Sequence, residues 1–63
     1  MPTLIFGTLR HIDRDRRRVV IGTAEFPVGT DIPLEGLHAG TPIKVVTDMQ
    51  GGQEWVTAIE LDR

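Results

Sequence analysis

Leu34-Glu35-Gly36-Leu37-His38-Ala39-Gly40, followed by Thr41-Pro42-Ile43-Lys44-Val45-Val46-Thr47-Asp48-Met49, is the stretch on which the fold turns. Its first seven residues are too few for a full helix. Leu34 and Leu37 are nevertheless spaced to share one side of a helical turn, and Gly40 is placed to end that turn in a left-handed conformation. The nine that follow alternate, which puts Ile43, Val45, Thr47 and Met49 on one face of a strand. The leucines are therefore expected to plug the mouth of a barrel to which the strand belongs.

Working outward, Gln50-Gly51-Gly52-Gln53 reads as a hairpin turn, and residues 54–61 as a last strand with Trp55, Thr57, Ile59 and Leu61 inward. Upstream of the plug, 29–33 is loop. Residues 23–28 form a third strand with Ala24, Phe26 and Val28 on one face, and Pro27, which lacks a ladder donor, marks an edge or a strand end. Residues 17–21 form the second strand, with Val19 and Ile21 inward and Val20 outward. Asp13-Arg14-Asp15-Arg16 is a turn, and 3–12 is the first strand. Gly7 suggests a bend inside that strand. Leu9 and Ile12 are three apart, so both can face inward only if a bulge falls near Arg10 and His11.

Three strands, a short helical turn and a long hairpin make an all-β, five-stranded OB-like barrel, one domain spanning residues 1–63. An SH3-like barrel is the alternative, although it normally places its helical turn before the last strand. So small a chain has little core, and a partner subunit would stabilise it materially.

Composition removes several chemistries. With no cysteine there are no disulfides, thiolate metal sites or cysteine nucleophiles, and with no serine or tyrosine the usual hydroxyl nucleophile and phenolic acid are missing too. No catalytic, cofactor-binding or metal-ligating set is assigned, and the chain is not expected to be an enzyme. His11 and His38 lie in different elements without a shared-metal spacing. Asp13 and Asp15 begin like a calcium loop, but the remaining ligands do not follow. Glu54 and Glu60 stand too far apart for shared acid–base work. There is no membrane-length apolar run. The first residues lack the regions of a signal peptide, so the chain reads as cytoplasmic, although a mature secreted form would look the same.

Charge is uneven. Residues 1–22 carry +3 and residues 23–63 carry −5, for a net −2. Arg10, Arg14, Arg16, Arg17 and Arg18 cluster about the first hairpin and are the candidate contacts to an anion or a nucleic acid. Single-strand binders also need aromatic platforms, and Phe6, Phe26 and Trp55 are the only aromatic residues. The alternation leaves Val20, Val46, Val56 and Ala58, with either Leu4 or Ile5, pointing outward as a candidate interface. The leading expectation is a non-enzymatic protein-interaction module, self-associating or docked to another protein. The alternative is a nucleic-acid-binding OB domain using the Arg14 to Arg18 hairpin.

Gly7-Thr8-Leu9-Arg10-His11-Ile12-Asp13, then Val19-Val20-Ile21, then Leu34-Glu35-Gly36-Leu37-His38-Ala39-Gly40-Thr41-Pro42-Ile43-Lys44-Val45 resembles a family of small bacterial barrel domains to which no activity is assigned. These are packing and turn residues, so the resemblance implies a fold and no chemistry. The pattern is more distantly similar to the periplasmic copper and silver chaperone barrels, which bind metal through histidine, methionine and tryptophan. Met49 and Trp55 are present here. The stretch between the second strand and the plug has neither methionine nor histidine, so no ligand residue is carried over.

Overall fold

A computed structural model describes residues 1–62. Five strands form, β1 (Thr3–Asp13), β2 (Arg18–Ile21), β3 (Ala24–Pro27), β4 (Pro42–Gln50) and β5 (Gln53–Leu61). They make one antiparallel sheet in the order β3-β2-β1-β4-β5. A parallel bridge between Val28 and Val56 brings the two edges together and closes the sheet into the OB-like barrel expected from the sequence. The Gly29 N–H, donating to the Val56 carbonyl at 3.1 Å, fastens the seam. Pro27 does end its strand at that edge.

β1 serves both halves of the barrel. Thr3 to Thr8 pair with β4, and Leu9 to Asp13 pair with β2. The strand must curl between them, and two residues allow it. A Cβ on Gly7 would stand 2.9 Å from Ile21 Cγ2, so glycine is what lets β2 fold this close. The register then shifts between Leu9, opposite Ile21, and His11, opposite Val20, which leaves Arg10 as the bulged residue. Leu9 is thereby fully buried while Ile12 still packs against the core, as the three-residue spacing required.

The core consists of Leu9, Val19, Ile21, Phe26, Val28, Leu34, Leu37, Ile43, Val45 and Val56, with Ile5, Ile12, Ile32 and Ile59 packed against it. Val56 corrects the sequence reading, which placed it on the outer surface. The cause is a second bulge. Val46 pairs with Ala58 but Thr47 pairs with Val56, so Thr57 has no counterpart and the inward set of β5 changes parity there. Ile59 remains on the inner side opposite Val45, whereas Thr57 and Leu61 are exposed and Trp55, opposite Asp48, is half-buried. Ala24 and Met49 are likewise exposed, each at the end of its strand.

The plug is a second correction. Leu34 and Leu37 are buried as expected, but no helical turn holds them. Two successive tight turns do so instead, the Leu37 N–H donating to the Leu34 carbonyl at 3.4 Å and the Thr41 N–H to the His38 carbonyl at 3.2 Å. In each, the third residue is a glycine at positive φ, Gly36 at 81° and Gly40 at 91°, the conformation a type II turn demands there. The second turn is tied to the β1 bulge. Leu9 donates to the Thr41 carbonyl at 2.9 Å and accepts from the Gly40 N–H at 2.7 Å.

Candidate functional site

Two surfaces carry the residues that the sequence singles out. The first is the arginine hairpin, where Asp13 and Arg18 pair and residues 14–17 make the loop between them. The Arg16 N–H donates to Asp13 Oδ1 at 3.1 Å, which closes the loop, and Arg17 completes it at φ 53°. That left-handed backbone accompanies a guanidinium bonded across to the long β3–β4 connection. Arg17 Nη2 donates to the Gly29 carbonyl at 2.6 Å and also to the Ile32 carbonyl. Arg14 Nη2 donates to the Leu37 carbonyl at 2.6 Å. Arg17 Nε is buried without a partner.

The five arginines are thus differently occupied. Arg14 latches the plug, and Arg17 the loop that precedes it, to the first hairpin. Arg18 pairs with Glu25 at 3.3 Å, and Arg16 with Asp13 at 4.0 Å. Arg10, exposed on its bulge, forms no ion pair among the described residues. A groove of about 460 Å³ runs between the hairpin and the connection, and Asp31 and Glu35 share its lining with Arg14 and Arg17. Carboxylates beside guanidinium groups weaken the field that an anion or a nucleic acid would meet. A neighbouring groove of about 410 Å³ lies between the connection and the β4–β5 hairpin, lined by Thr30, Asp31, Gln50, Trp55 and Thr57 among others.

The second surface is the outer face of β1, β4 and β5. Strand pairing aligns Leu4 with Val46 and Val46 with Ala58 in one row, and Phe6 with Lys44 and Lys44 with Glu60 in the next. Leu4 is 53 % exposed and Phe6 60 %. Two large apolar side chains so exposed, two residues apart on one strand, form a continuous strip with Val46 rather than scattered surface hydrophobics. Lys44 Nζ lies 2.8 Å from Glu60 Oε1, and that hydrogen bond and charge hold the ammonium above its ordinary pKa. On the far side of Val46, Asp48 stands opposite Trp55, with the Met1 amine 3.7 Å from its carboxylate.

Of the four residues expected at an interface, Val46 and Ala58 meet in this strip and Val56 does not, being in the core. Val20 lies apart on β2, opposite His11 and Glu25. Of Leu4 and Ile5, the outward one is Leu4; Phe6 is the residue that sequence reasoning missed. Its type suggested core, and only its parity with Leu4 on β1 pointed outward.

Elsewhere, His11 and His38 are both exposed, on the β1 bulge and in the second turn of the plug. Glu54 accepts a hydrogen bond from the buried Thr47 hydroxyl. Among the described residues no group of three or more His, Asp or Glu side chains is placed to hold a metal ion, and no helix is long and apolar enough to cross a membrane.

No protein-family profile matches the chain, and no curated protein matches it in sequence. Solved structures do match it in shape. Silver(I)-bound CusF superposes with a TM-score of 0.86 at 14 % identity, over 98 % of this chain and 99 % of that one. Apo-CusF from Escherichia coli gives 0.82 at 16 % identity, over 100 % and 92 %. A copper(II) form of an E. coli CusF variant with tryptophan replaced by alanine gives 0.83 at 14 % identity, over 98 % and 92 %. The chain therefore has the small OB-like barrel of CusF from end to end, the fold that its distant resemblance to the copper and silver chaperones implied, and at these identities the likeness extends to the fold alone.

Proposed function

We propose that this barrel is a non-enzymatic interaction module that docks protein through the outer face of β1, β4 and β5. The observation that carries the reading is the exposure of Leu4 and Phe6 side by side with Val46 and Ala58. A folded monomer gains nothing from holding such side chains in water, whereas covering them returns about 25 cal/mol for each Å² removed from solvent. The arginine hairpin supports a nucleic-acid role less well. Two of its guanidinium groups are committed to backbone carbonyls of the β3–β4 connection, and two face carboxylates.

The test is photo-crosslinking in cells from a reactive analogue placed at position 6, with position 51 in the β4–β5 turn as the control. Discrete protein adducts from position 6 and none from position 51 are expected. No adduct from position 6 would refute the docking role.

A second reading, favoured over nucleic acid by the likeness to silver-bound CusF, is a carrier of a soft metal ion. Met49, exposed near the β4–β5 turn, is the residue this reading would use, with Trp55 on the adjacent residue pair as its optical reporter. Silver(I) titration followed by Trp55 fluorescence separates the readings, since saturable binding lost in Met49→Ala supports the carrier and no spectral change excludes it. Similarity to a periplasmic family also weighs toward a mature secreted form, against the cytoplasmic location that the N-terminal residues suggested.

A further inference from the structure

On β4 the outward residues are Lys44, Val46 and Asp48, a cation, an apolar centre and an anion at equal spacing. We infer that the occupant of the outer face is a second copy of this chain, with β4 packed antiparallel over β4 about a twofold axis that passes at Val46. This rests on the docking role proposed above and specifies its partner.

The symmetry follows from the pattern. A twofold axis lying in the interface and perpendicular to β4 reverses the strand and turns its face over. Val46 then meets Val46 of the second copy, Lys44 meets Asp48, and Asp48 meets Lys44. Each side chain two residues from the centre lies about 7 Å from the axis. Packed sheets cross at about 30°, which offsets the paired positions by about 4 Å, within the reach of a lysine stem. Leu4 and Ala58 share the Val46 row, so the same axis sets each against its own counterpart. Phe6 lies in the Lys44 row and falls toward the N-terminal end of β1 in the other copy.

Charge selects this arrangement. The parallel alternative would stack Lys44 on Lys44 and Asp48 on Asp48, and like charges in register disfavour it. Both groups remain accessible, their side chains being 37 % and 41 % exposed. Lys44 already holds Glu60 at 2.8 Å, which orients its ammonium on the face rather than leaving it free in solvent. Isologous contact of this kind is the commonest form of homo-oligomer.

The experiment exploits the twofold exchange. Lys44→Asp alone would set acid against acid at both ends of its homodimer, and Asp48→Lys alone would set base against base. An equimolar mixture of the two restores opposite charges at both ends of the heterodimer. Sedimentation equilibrium should show the unmodified chain dimerising between micromolar and millimolar concentration. Each variant should dimerise at least about tenfold more weakly, and the mixture should recover to within about threefold of the parent. Circular dichroism checks that each variant folds. Val46→Lys, which sets like charges across the axis at an already outward position, should give a folded monomer even if Lys44→Asp fails to fold. A parent that stays monomeric to millimolar concentration overturns the inference, as does a mixture no stronger than its components. If position 6 still yields adducts with a different protein while the chain is monomeric, self-pairing fails and the docking role stands.

Discussion

Replacing Arg17 separates two opposed effects at one position. Its side chain holds the β3–β4 connection through the Gly29 and Ile32 carbonyls, while its backbone sits at φ 53°, where a side chain is unfavourable. Hydrogen bonds from charged groups contribute about 1.5–3 kcal/mol each. Both come from one part-buried nitrogen, so their joint loss in Arg17→Ala is set at about 2–3 kcal/mol. Arg17→Gly loses the same bonds but relieves the left-handed backbone, worth about 1 kcal/mol. The glycine variant should therefore be the more stable of the two by about 1 kcal/mol, and that difference is independent of how the hydrogen bonds are valued. A chain of 63 residues has about 3–9 kcal/mol in total, so the alanine change removes a large share of it. Urea melts followed by Trp55 fluorescence measure both variants. With a slope near 1 kcal/mol/M, the midpoint should fall by about 2–3 M for alanine and about 1–2 M for glycine. A glycine variant equal to or weaker than alanine would show that Arg17 is not strained, and an alanine variant within about 0.5 kcal/mol of the parent would show that Arg17 does not hold the β3–β4 connection.

Leu37→Ala removes a buried plug side chain and should cost about 2–5 kcal/mol by the same melts; a loss below about 1 kcal/mol would place Leu37 outside the core. Gly7→Ala puts a methyl 2.9 Å from Ile21 Cγ2, so β2 must shift, and a destabilisation of about 1–3 kcal/mol is expected, which should shrink when the same change is made in an Ile21→Ala background that lacks Cγ2. The Lys44 pKa is raised in the folded protein by Glu60, so its contribution is complete below the ordinary value of 10.5 and disappears as pH climbs through the higher folded value. The melting temperature should accordingly fall more steeply above pH 10.5 in the parent than in Glu60→Gln, and parallel curves would remove Glu60 as the cause.

Local patterns in the sequence were sufficient wherever one strand decides its own geometry. Leu9 and Ile12 cannot both be inward on a regular strand, so the bulge at Arg10 is legible from β1 alone. Alternation likewise places Ile43, Val45 and Thr47 inside β4. The bulge at Thr57 has no such signature. Trp55, Thr57, Ile59 and Leu61 alternate as well as any strand, and so do Val56 and Ala58 on the opposite parity, so nothing within β5 decides between them. The choice is made by its neighbours, Thr47 on β4 and the Val28 bridge that draws Val56 into the seam. The turns of the plug were misread for a related reason. Leu34 and Leu37 are three apart in a helical turn and equally so at the ends of a β-turn, and Gly36 distinguishes the two only if positive φ is required of it.

The candidate site depends on those same choices. Moving Val56 inward takes the largest contributor out of the expected valine patch on β5, yet the outer face stays apolar because Leu4 and Phe6 carry it from β1. Conversely, the arginines looked like a binding surface because sequence shows their charge and not their partners. Arg14 reaches a carbonyl 23 residues away, and Arg17 reaches carbonyls 12 and 15 residues away. Contacts of that separation exist only once the barrel has closed. Arg14 and Arg17 thus hold the β3–β4 connection against the first hairpin, whereas Leu4 and Phe6, in the rows of Val46 and Lys44, remain exposed among the described residues.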